Sequence, residues 1–194
     1  MNIDARFEKI SKYADDKNII VPFRKTANSA GYDFYAAEDV ILEPAMGDEM
    51  IDRLATTVAG KFGNMEEVSK ALPFDLNTVA AIVKEANAKI PLVPTGIKCK
   101  IPDGYYLELS VRSSTPLKHW LILGNSIGVI DSDYYNNPDN EGHIYFQLIN
   151  MLPFPVKISK GDCFGQGILK EYHKTNDDEG NENAREGGFG STSE

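Results

Sequence analysis

Short segments in which apolar and polar residues alternate, separated by Pro, Gly and Asn, run through most of the chain and limit the folds that it can adopt. The first extends from Ile19 to Pro44, where the aromatic residues of YDFYA alternate with other residues. Similar segments follow in LVPTGIKCKIPDGYYLELSV, HIYFQLINML and GDCFGQGIL. Alternation with a period of two is typical of strands that bury one face. The sequence therefore predicts a mainly β domain.

One block, residues 46–90, has a different pattern. Its apolar residues recur at helical spacing, as at Val79 and Ile82, and Asn77 stands at a position typical of a helix N-cap. Because β segments are predicted on both sides, the block is predicted to be a helical insertion between two strands. Residues 3–14 are compatible either with a short amphipathic helix or with a strand that enters a sheet.

The C-terminal residues 175–194 have too few apolar side chains to bury themselves, because only Ala184 and Phe189 are apolar. Such a segment is predicted to be flexible. It nevertheless ends in REGGFGST, which combines a cation, glycines, an aromatic ring and two hydroxyls. These groups could form a flap over an aromatic base and a polyphosphate, since glycines let backbone N–H groups approach an anion. The alternative is a floppy terminus without a ligand.

The composition of the chain argues against several classes of function. Its 194 residues, 42% of them hydrophobic, suffice for one main domain. The formal net charge of −9 argues against a broad nucleic-acid-binding surface, which needs clustered Lys and Arg. Cys99 and Cys163 lie far apart and indicate neither a zinc site nor a disulfide framework. Without an export signal or an apolar segment of roughly 18 residues, we expect a cytoplasmic protein that does not enter membranes.

The stretch from Gly124 to Tyr134, GNSIGVIDSDY, combines an amide, glycines, two carboxylates and an aromatic residue. Alternation at Ile127, Val129 and Asp131 predicts a hairpin with one face toward the core and a polar tip toward a ligand. A carboxylate at the end of a buried apolar run is well placed to act as a general base, so Asp131 is a candidate. The alternative is a surface turn in which Asp131 is a turn residue.

The segment RSSTPLKHW, residues 112–120, has the composition of an anion-binding loop. Arg112 ends a predicted strand and is followed by two hydroxyl residues and by Lys118, so that N–H groups, hydroxyls and two cations can face one phosphate. Alternatively, Pro116 simply begins a helix. Asp33 lies between two aromatic residues and is predicted to point to the opposite face, where it is either exposed or supports a neighbouring loop.

Five short motifs together resemble, in order and spacing, those of the trimeric deoxyuridine triphosphatase (dUTPase) family. They are AGYDFYA at 30–36, RSS at 112–114, GNSIGVIDSDY at 124–134, GDCFGQ at 161–166 and GGFGST at 187–192. The resemblance implies a dUTPase-like β jelly roll of residues 1–45 and 91–174, a helical insertion at 46–90 and a flexible arm at 175–194. It also implies a homotrimer with active sites at subunit interfaces, where the arm of one subunit closes the site of another.

The resemblance further implies an activity and roles for individual residues. The family hydrolyses dUTP to dUMP and pyrophosphate, which supplies dUMP for dTMP synthesis and keeps uracil out of DNA. Asp131 matches the general base that activates the water attacking the α-phosphorus. Asn125 matches the residue that reads uracil, and Tyr134 matches the ring that packs against the deoxyribose. The other substrate-binding positions are matched by Arg112, Ser113, Ser114, Gly128, Ile130, Gln166, Arg185, Phe189, Gly190, Ser191 and Thr192.

Mg²⁺ is the implied cofactor. In the family this ion is held by the substrate phosphates and by water, in keeping with its reluctance to lose its hydration shell. The acid of the first motif, matched here by Asp33, reaches the ion through water. Phe189 is implied to stack over the uracil, while Arg185, Ser191 and Thr192 are implied to bind the γ-phosphate.

Three features depart from the family pattern. Arg185 is separated from the paired glycines by Glu186 alone, whereas the family more often has two residues there. YNNPDNEG follows the third motif in place of a short turn with Gly, which could alter the rim of the pocket. The insertion at 46–90 is not part of the common core and is a candidate surface for a protein partner.

Two functions other than dUTP hydrolysis are compatible with parts of the sequence. A deoxycytidine triphosphate deaminase shares the fold, but its catalytic glutamate is matched by Gln147, and an amide cannot serve as that acid and base. A regulatory module would instead use nucleotide binding as a signal, with the helices of 46–90 as its partner surface. Such a role does not exclude catalysis, because Asp131 and the arm are both present.

Overall fold

The computed structural model describes residues 3–45, 52, 56–58, 60, 63, 90–178 and 188. These residues form a mainly β structure with an α-helix, α1, at Ser114–His119, helical residues at 52, 56–58 and 60, and short 3-10 turns at Ser11–Tyr13 and Ser132–Tyr134. The strands are β1 Arg6–Lys9, β2 Tyr32–Tyr35, β3 Val40–Leu42, β4 Leu92–Pro94, β5 Ile97–Lys100, β6 Tyr105–Val111, β7 Leu121–Leu123, β8 Gly128–Ile130, β9 Tyr145–Asn150, β10 Val156–Ile158 and β11 Cys163–Glu171.

Two larger sheets carry most of these strands. One has the order β2-β11-β6-β8 and the other the order β4-β9-β7, while β1 pairs with β5 and β3 with β10. Every strand pair in these sheets is antiparallel. Alternate residues of β9 are buried, which is the pattern expected of a sheet with one face against a core.

The core lies between the two larger sheets and is rich in aromatic rings. Phe146 of β9 packs against Phe34 of β2 and Phe164 of β11, with ring centroids 5.4 and 5.1 Å apart. Gly165 allows this packing, because a Cβ at that position would lie 2.4 Å from Phe146 Cε1. Successive residues of a strand point to opposite faces, so Gln166 points away from the core.

The predicted mainly β fold is confirmed. For residues 3–14, the strand predicted as one alternative is confirmed and the amphipathic helix is not. These residues form strand β1 and a 3-10 turn, because β1 pairs with β5 along its whole length. The described residues 52, 56–58 and 60 are helical, but most of the predicted insertion at 46–90 lies outside the described residues. Among the described residues, no helix is long and apolar enough to cross a membrane.

His143 is a buried polar residue that joins two parts of the fold. Its Nε2 accepts a hydrogen bond from the backbone N–H of Gly96 at 2.8 Å. Burial, reinforced by the positive charge of Lys12, lowers the pKa of His143 to about 4, against smaller opposing effects of Glu38 and Glu141. The imidazole is therefore neutral in the folded protein at neutral pH.

This burial predicts an acid-sensitive fold. Between pH 6.5 and about 4 the unfolded chain binds a proton at His143 that the folded chain does not, so stability is complete above this range and falls with pH within it. We expect His143 to contribute a loss of about 3 kcal/mol in the free energy of unfolding across the range. Urea unfolding at several pH values measures it.

The control compares two histidine variants. His143→Gln is expected to flatten the pH dependence, whereas His119→Gln, at an exposed position, is expected to leave it unchanged. An unchanged slope in His143→Gln would show that other groups cause the acid sensitivity.

Candidate active site

Asp33, Gln166 and Ser110 form a row across the four-stranded sheet. Gln166 of β11 lies opposite Asp33 of β2 on one side and opposite Ser110 of β6 on the other. Residues directly opposite each other share a face of the sheet, and Gln166 points away from the core. Gln166 Nε2 also donates a hydrogen bond to Ser110 Oγ at 3.2 Å. The first and fourth motifs are therefore adjacent.

Arg112 joins this row through the carboxylate of Asp33. Asp33 is only 8% exposed, and its Oδ1 lies 3.1 Å from Arg112 Nε. Its Oδ2 lies 3.3 Å from Lys25 Nζ but accepts no hydrogen bond of suitable geometry. Two cations thus offset the cost of burying one carboxylate. Asp33 was predicted either to be exposed or to support a neighbouring loop. The structure favours the second, because the carboxylate is buried and orients the Arg112 guanidinium of the second motif.

Lys25 was not identified from the sequence as a site residue. The backbone N–H of Asp33 donates to the carbonyl of Phe23 at 3.0 Å, which brings the preceding segment beside β2 and Lys25 beside the carboxylate. The Lys25 side chain is half exposed and so remains available to a ligand. The sequence shows Lys25 only as one cation in the polar turn KTANSAG. The fold is what brings its ammonium to the carboxylate that Arg112 also contacts.

The two serines of the second motif stand at the start of α1, with Ser113 in the N-cap position. The strand end before them is anchored to the carbonyl of Phe164, which accepts hydrogen bonds from Arg112 N at 3.2 Å and from Thr115 Oγ1 at 2.7 Å. Pro116 lies within this helix, as one of the two interpretations predicted, and the anion-binding role of the segment stays a prediction. Lys118 lies exposed in the last turn of α1, and the cation beside Arg112 is Lys25 instead.

The third motif does not form the predicted hairpin. β7 pairs with β9 and β8 pairs with β6, so residues 124–127 connect two different sheets. Ile127 and Val129 are 48% and 51% exposed, so the prediction that they face the core is wrong. Gly128 between them is buried, and a Cβ there would contact Leu109 at 3.1 Å. The glycine takes the inward position and its neighbours point outward.

Asn125 and Asp131 lie before and after β8. Asn125 is exposed in a turn that is closed by a hydrogen bond from Ser126 N to the carbonyl of Leu123 at 3.1 Å. Asp131 is half-buried and precedes a 3-10 turn in which Tyr134 N donates to the carbonyl of Asp131 at 3.2 Å. This turn keeps the backbones of the candidate base and the candidate sugar-facing residue within hydrogen-bonding distance of each other.

The register of β6 separates the third motif from the row that contains Gln166. Ile130 lies opposite Leu107, whereas Gln166 lies opposite Ser110. Asp131 continues in an extended conformation beyond Ile130, away from Arg112 at the other end of β6. At about 3.3 Å per residue, Asp131 and Arg112 are roughly 15–20 Å apart along the sheet. One chain therefore does not bring these two side chains together.

One residue of the arm is described. Gly188 lies against the ring of Tyr134 in the same chain, and a Cβ at Gly188 would be 2.8 Å from Tyr134 Cε2. The fifth motif thus reaches the third. The predicted arm residues Arg185, Phe189, Gly190, Ser191 and Thr192 lie outside the described residues.

Two further ionisable groups near the row, the Cys163 thiol and the Tyr35 hydroxyl, are not suited to nucleophilic catalysis. Burial raises the pKa of the Cys163 thiol, and the neighbouring charge of Asp33 adds to the effect, so the thiol stays protonated. Burial, with Cys163 and Asp33 nearby, also raises the pKa of Tyr35 to about 12. Within the part of the chain that the structure describes, no group of three or more His, Cys, Asp or Glu side chains could hold a metal ion.

Comparison with known proteins gives a consistent result. The dUTPase family model matches residues 65–193. A deoxyuridine 5'-triphosphate nucleotidohydrolase from Lactococcus lactis subsp. lactis (strain IL1403) is 36% identical over 187 residues, which cover 96% of this chain and 95% of that protein. Because the alignment covers 96% of this chain, most of residues 46–90 also align with that protein.

Solved structures show the same fold. A dUTPase from Streptococcus mutans matches with a TM-score of 0.63 and 34% identity, covering 88% of this chain and 98% of that one. A mutant dUTPase from phage phi11 of S. aureus, described as coordinating a structural Mg(II) ion, matches with a TM-score of 0.56 over 90% of this chain and 94% of that one. At 16% identity the second match concerns the fold alone. Together these matches confirm the predicted jelly roll.

The buried carboxylate of Asp33 predicts different stability effects for its two cations. Arg112→Met removes the less exposed partner and is expected to lower the free energy of unfolding by about 2 kcal/mol or more. Lys25→Met removes a half-exposed partner and should cost less than about 1 kcal/mol. Urea unfolding of both variants measures the difference.

A double variant serves as the control. Asp33→Asn combined with Arg112→Met removes both charges and should be more stable than Arg112→Met alone. Equal losses for Arg112→Met and Lys25→Met would contradict the assignment of Arg112 as the main partner.

Proposed function

Because the chain belongs to the dUTPase family and is a dUTP diphosphatase, we propose that it hydrolyses dUTP with Asp131 as general base, in a site shared between the subunits of a homotrimer. The products are dUMP and pyrophosphate, so the reaction supplies dUMP for dTMP synthesis and keeps uracil out of DNA. We place the enzyme in the cytoplasm, where its two free cysteines would stay reduced.

The register of β6 is the observation that supports a shared site. Arg112 and Gln166 lie at one end of the sheet and Asp131 lies beyond the other, too far apart to act on one triphosphate. A second copy can bring its third motif to the Arg112 end, as the resemblance to the trimeric family implies. The exposed Ile127 and Val129 fit this arrangement, because an interface would cover them.

The chemistry assigned to Asp131 is proton removal from a water molecule. The water oxygen attacks the α-phosphorus, its proton passes to the carboxylate, and the bond from the α-phosphorus to the bridging oxygen breaks. Pyrophosphate leaves with the bonding electron pair, and dUMP remains. Phosphoryl transfer depends mainly on positioning and on charge neutralisation, which the donors around the phosphates supply.

The phosphates would be bound by the side chains that lie around Asp33. Arg112 and Gln166, with Ser113 and Ser114 at the start of α1, offer donors in one region of the surface. We add Lys25 to this group, because its ammonium lies on the same carboxylate as Arg112. Cations and amide donors clustered in this way favour a polyphosphate over a neutral ligand.

The base and sugar would be selected by the third motif. Asn125 has an exposed amide that can hydrogen bond to the edge of uracil, with Gly128 and Ile130 contributing backbone groups nearby. Tyr134 would pack against the deoxyribose and leave no room for a 2'-hydroxyl. The Tyr134 ring is buried and held by hydrogen bonds, as such exclusion requires.

Mg²⁺ is proposed as the cofactor, bound mainly to the substrate phosphates. The residues fit such an ion in one respect, since Oδ2 of Asp33 has unused capacity to accept a hydrogen bond from ion-bound water. The half-exposed Lys25 side chain would have to move aside to admit that water. When bound, the ion would neutralise phosphate charge.

The arm is proposed to close the site. Gly188 already lies on Tyr134, which supports a position of the fifth motif over the third. Phe189 would then reach the uracil, and Arg185, Gly190, Ser191 and Thr192 would reach the phosphates. The resemblance to the family assigns the arm to a neighbouring subunit, whereas the Gly188 contact seen here is within one chain.

Two other functions are less well supported. The deaminase alternative lacks its catalytic glutamate, because Gln147 stands at the matching position. A protein-partner surface at residues 46–90 is compatible with hydrolysis and would add to it rather than replace it.

The general-base assignment predicts a large and specific loss of activity. Asp131→Asn should lower the rate of pyrophosphate release from dUTP by about 100-fold or more, because an amide cannot accept the water proton. Asp133→Asn, in the same turn but exposed, is the matched control and should change the rate only slightly. Equal losses in both variants would contradict the assignment. Parallel assays with dCTP, dTTP and UTP test the substrate.

The shared site predicts complementation between two inactive variants. Chains with Asp131→Asn are co-expressed with chains truncated after Lys174, and mixed trimers are isolated with two affinity tags. If the arm serves a neighbour, each mixed trimer contains a site with both an intact Asp131 and an intact arm, and activity returns. Continued inactivity of the mixed trimers would mean that the arm serves the third motif of its own chain, as Gly188 does here.

A further inference from the structure

The hydroxyl of Tyr134 is held from two sides by the loop that follows it. It donates a hydrogen bond to the carbonyl of His143 at 3.0 Å and accepts one from Asn140 Nδ2 at 2.9 Å. Tyr134 is 5% exposed, so these bonds are made in a largely dry environment. Buried hydrogen bonds of this kind are costly to leave unmade.

Asn140 is itself fixed in one orientation. Its Oδ1 accepts hydrogen bonds from Gly142 N at 3.0 Å and from Asn137 Nδ2 at 2.9 Å, which leaves Nδ2 facing Tyr134. Asn137 also donates to the carbonyl of Tyr134 at 2.8 Å. The side-chain amides of the loop therefore form a connected network that starts and ends on Tyr134.

The loop is attached to the rest of the domain as well. Glu141 accepts hydrogen bonds from the backbone N–H and the hydroxyl of Ser11, at 3.1 and 2.8 Å. Asn137 Oδ1 accepts from the backbone N–H groups of Asp139 and Asn140, both at 3.1 Å. The segment YNNPDNEG, which departs from the family pattern, therefore holds Tyr134 in place and is itself anchored to Ser11, outside the third motif.

We propose that Asn140 is a positioning residue that sets the discrimination between deoxyribose and ribose. The proposal rests on the function proposed above, in which Tyr134 faces the sugar. A ring with only two side-chain torsions keeps its place if its hydroxyl is held, and a fixed ring excludes a 2'-hydroxyl. Without the Asn140 donor the ring can move away from the sugar and admit UTP.

The test measures kcat and KM for dUTP and for UTP separately. Asn140→Ala should lower the ratio of kcat/KM for dUTP to that for UTP by roughly tenfold, the effect of losing one buried hydrogen bond. Most of the change should come from improved use of UTP. Asp139→Ala is the matched control, because Asp139 is exposed and its backbone N–H, which the substitution keeps, enters the network.

A second variant guards against a folding defect. Asn140→Asp keeps an oxygen for Gly142 N but replaces the donor with an acceptor, so the Tyr134 hydroxyl can bond to residue 140 only by giving up its bond to the His143 carbonyl, and the ratio should also fall while the loop is preserved. Tyr134→Phe removes the hydroxyl, and Asn140→Ala should then have no further effect on the ratio in that background. This combination identifies the hydroxyl as the group through which Asn140 acts.

Three results would overturn the proposal. An unchanged ratio in both Asn140 variants would show that the loop has only a structural role, even if stability falls. An equal effect of Asn140→Ala with and without the Tyr134 hydroxyl would place its action elsewhere. A parent enzyme that cleaves dUTP and UTP equally would remove the assigned role of Tyr134, whereas one that cleaves neither would contradict dUTP hydrolysis itself.

Discussion

The close approach of β11 to the aromatic core is the constraint on which the rest of the structure depends. Phe146 occupies the space where a side chain at position 165 would be, and Phe34 approaches position 167 in the same way. Only glycine fits at both positions, so the residue between them, Gln166, faces the opposite side of the sheet. The same alternation therefore fills the core on one face and leaves Gln166 beside Asp33 and Ser110 on the other.

A second constraint is electrostatic and follows from the first. The row beside Gln166 includes a carboxylate with little access to water, and a buried charge is stable only with partners. Arg112 and Lys25 meet that need at Asp33, and the same two cations are the ones proposed to bind the substrate phosphates. The stability of this part of the sheet and its proposed affinity for the substrate phosphates thus have a common origin. The loop of residues 135–142 also has two roles, since its amide network stabilises the local fold and holds the ring proposed to face the sugar.

The predictions from sequence succeeded where local pattern decides the outcome. The mainly β fold and the helix around Pro116 depend on alternation and on turn residues close in the chain. The predictions from sequence failed where strand pairing decides which of two alternating faces is buried. The alternation at Ile127 and Val129 is real, but the pairing of β8 with β6 turns Gly128 inward and both side chains outward.

The sequence by itself determined the mainly β fold and the family, and it supplied Asp131 as the candidate base, because these depend on residue type and order. Only the tertiary structure decided that Lys25 joins Arg112 on Asp33, that Asn140 holds Tyr134, and that Asp131 and Arg112 are separated along β6. The physical reason is that strand register and loop closure are set by packing and hydrogen bonding between distant segments. No local pattern in the chain encodes which of those segments become neighbours.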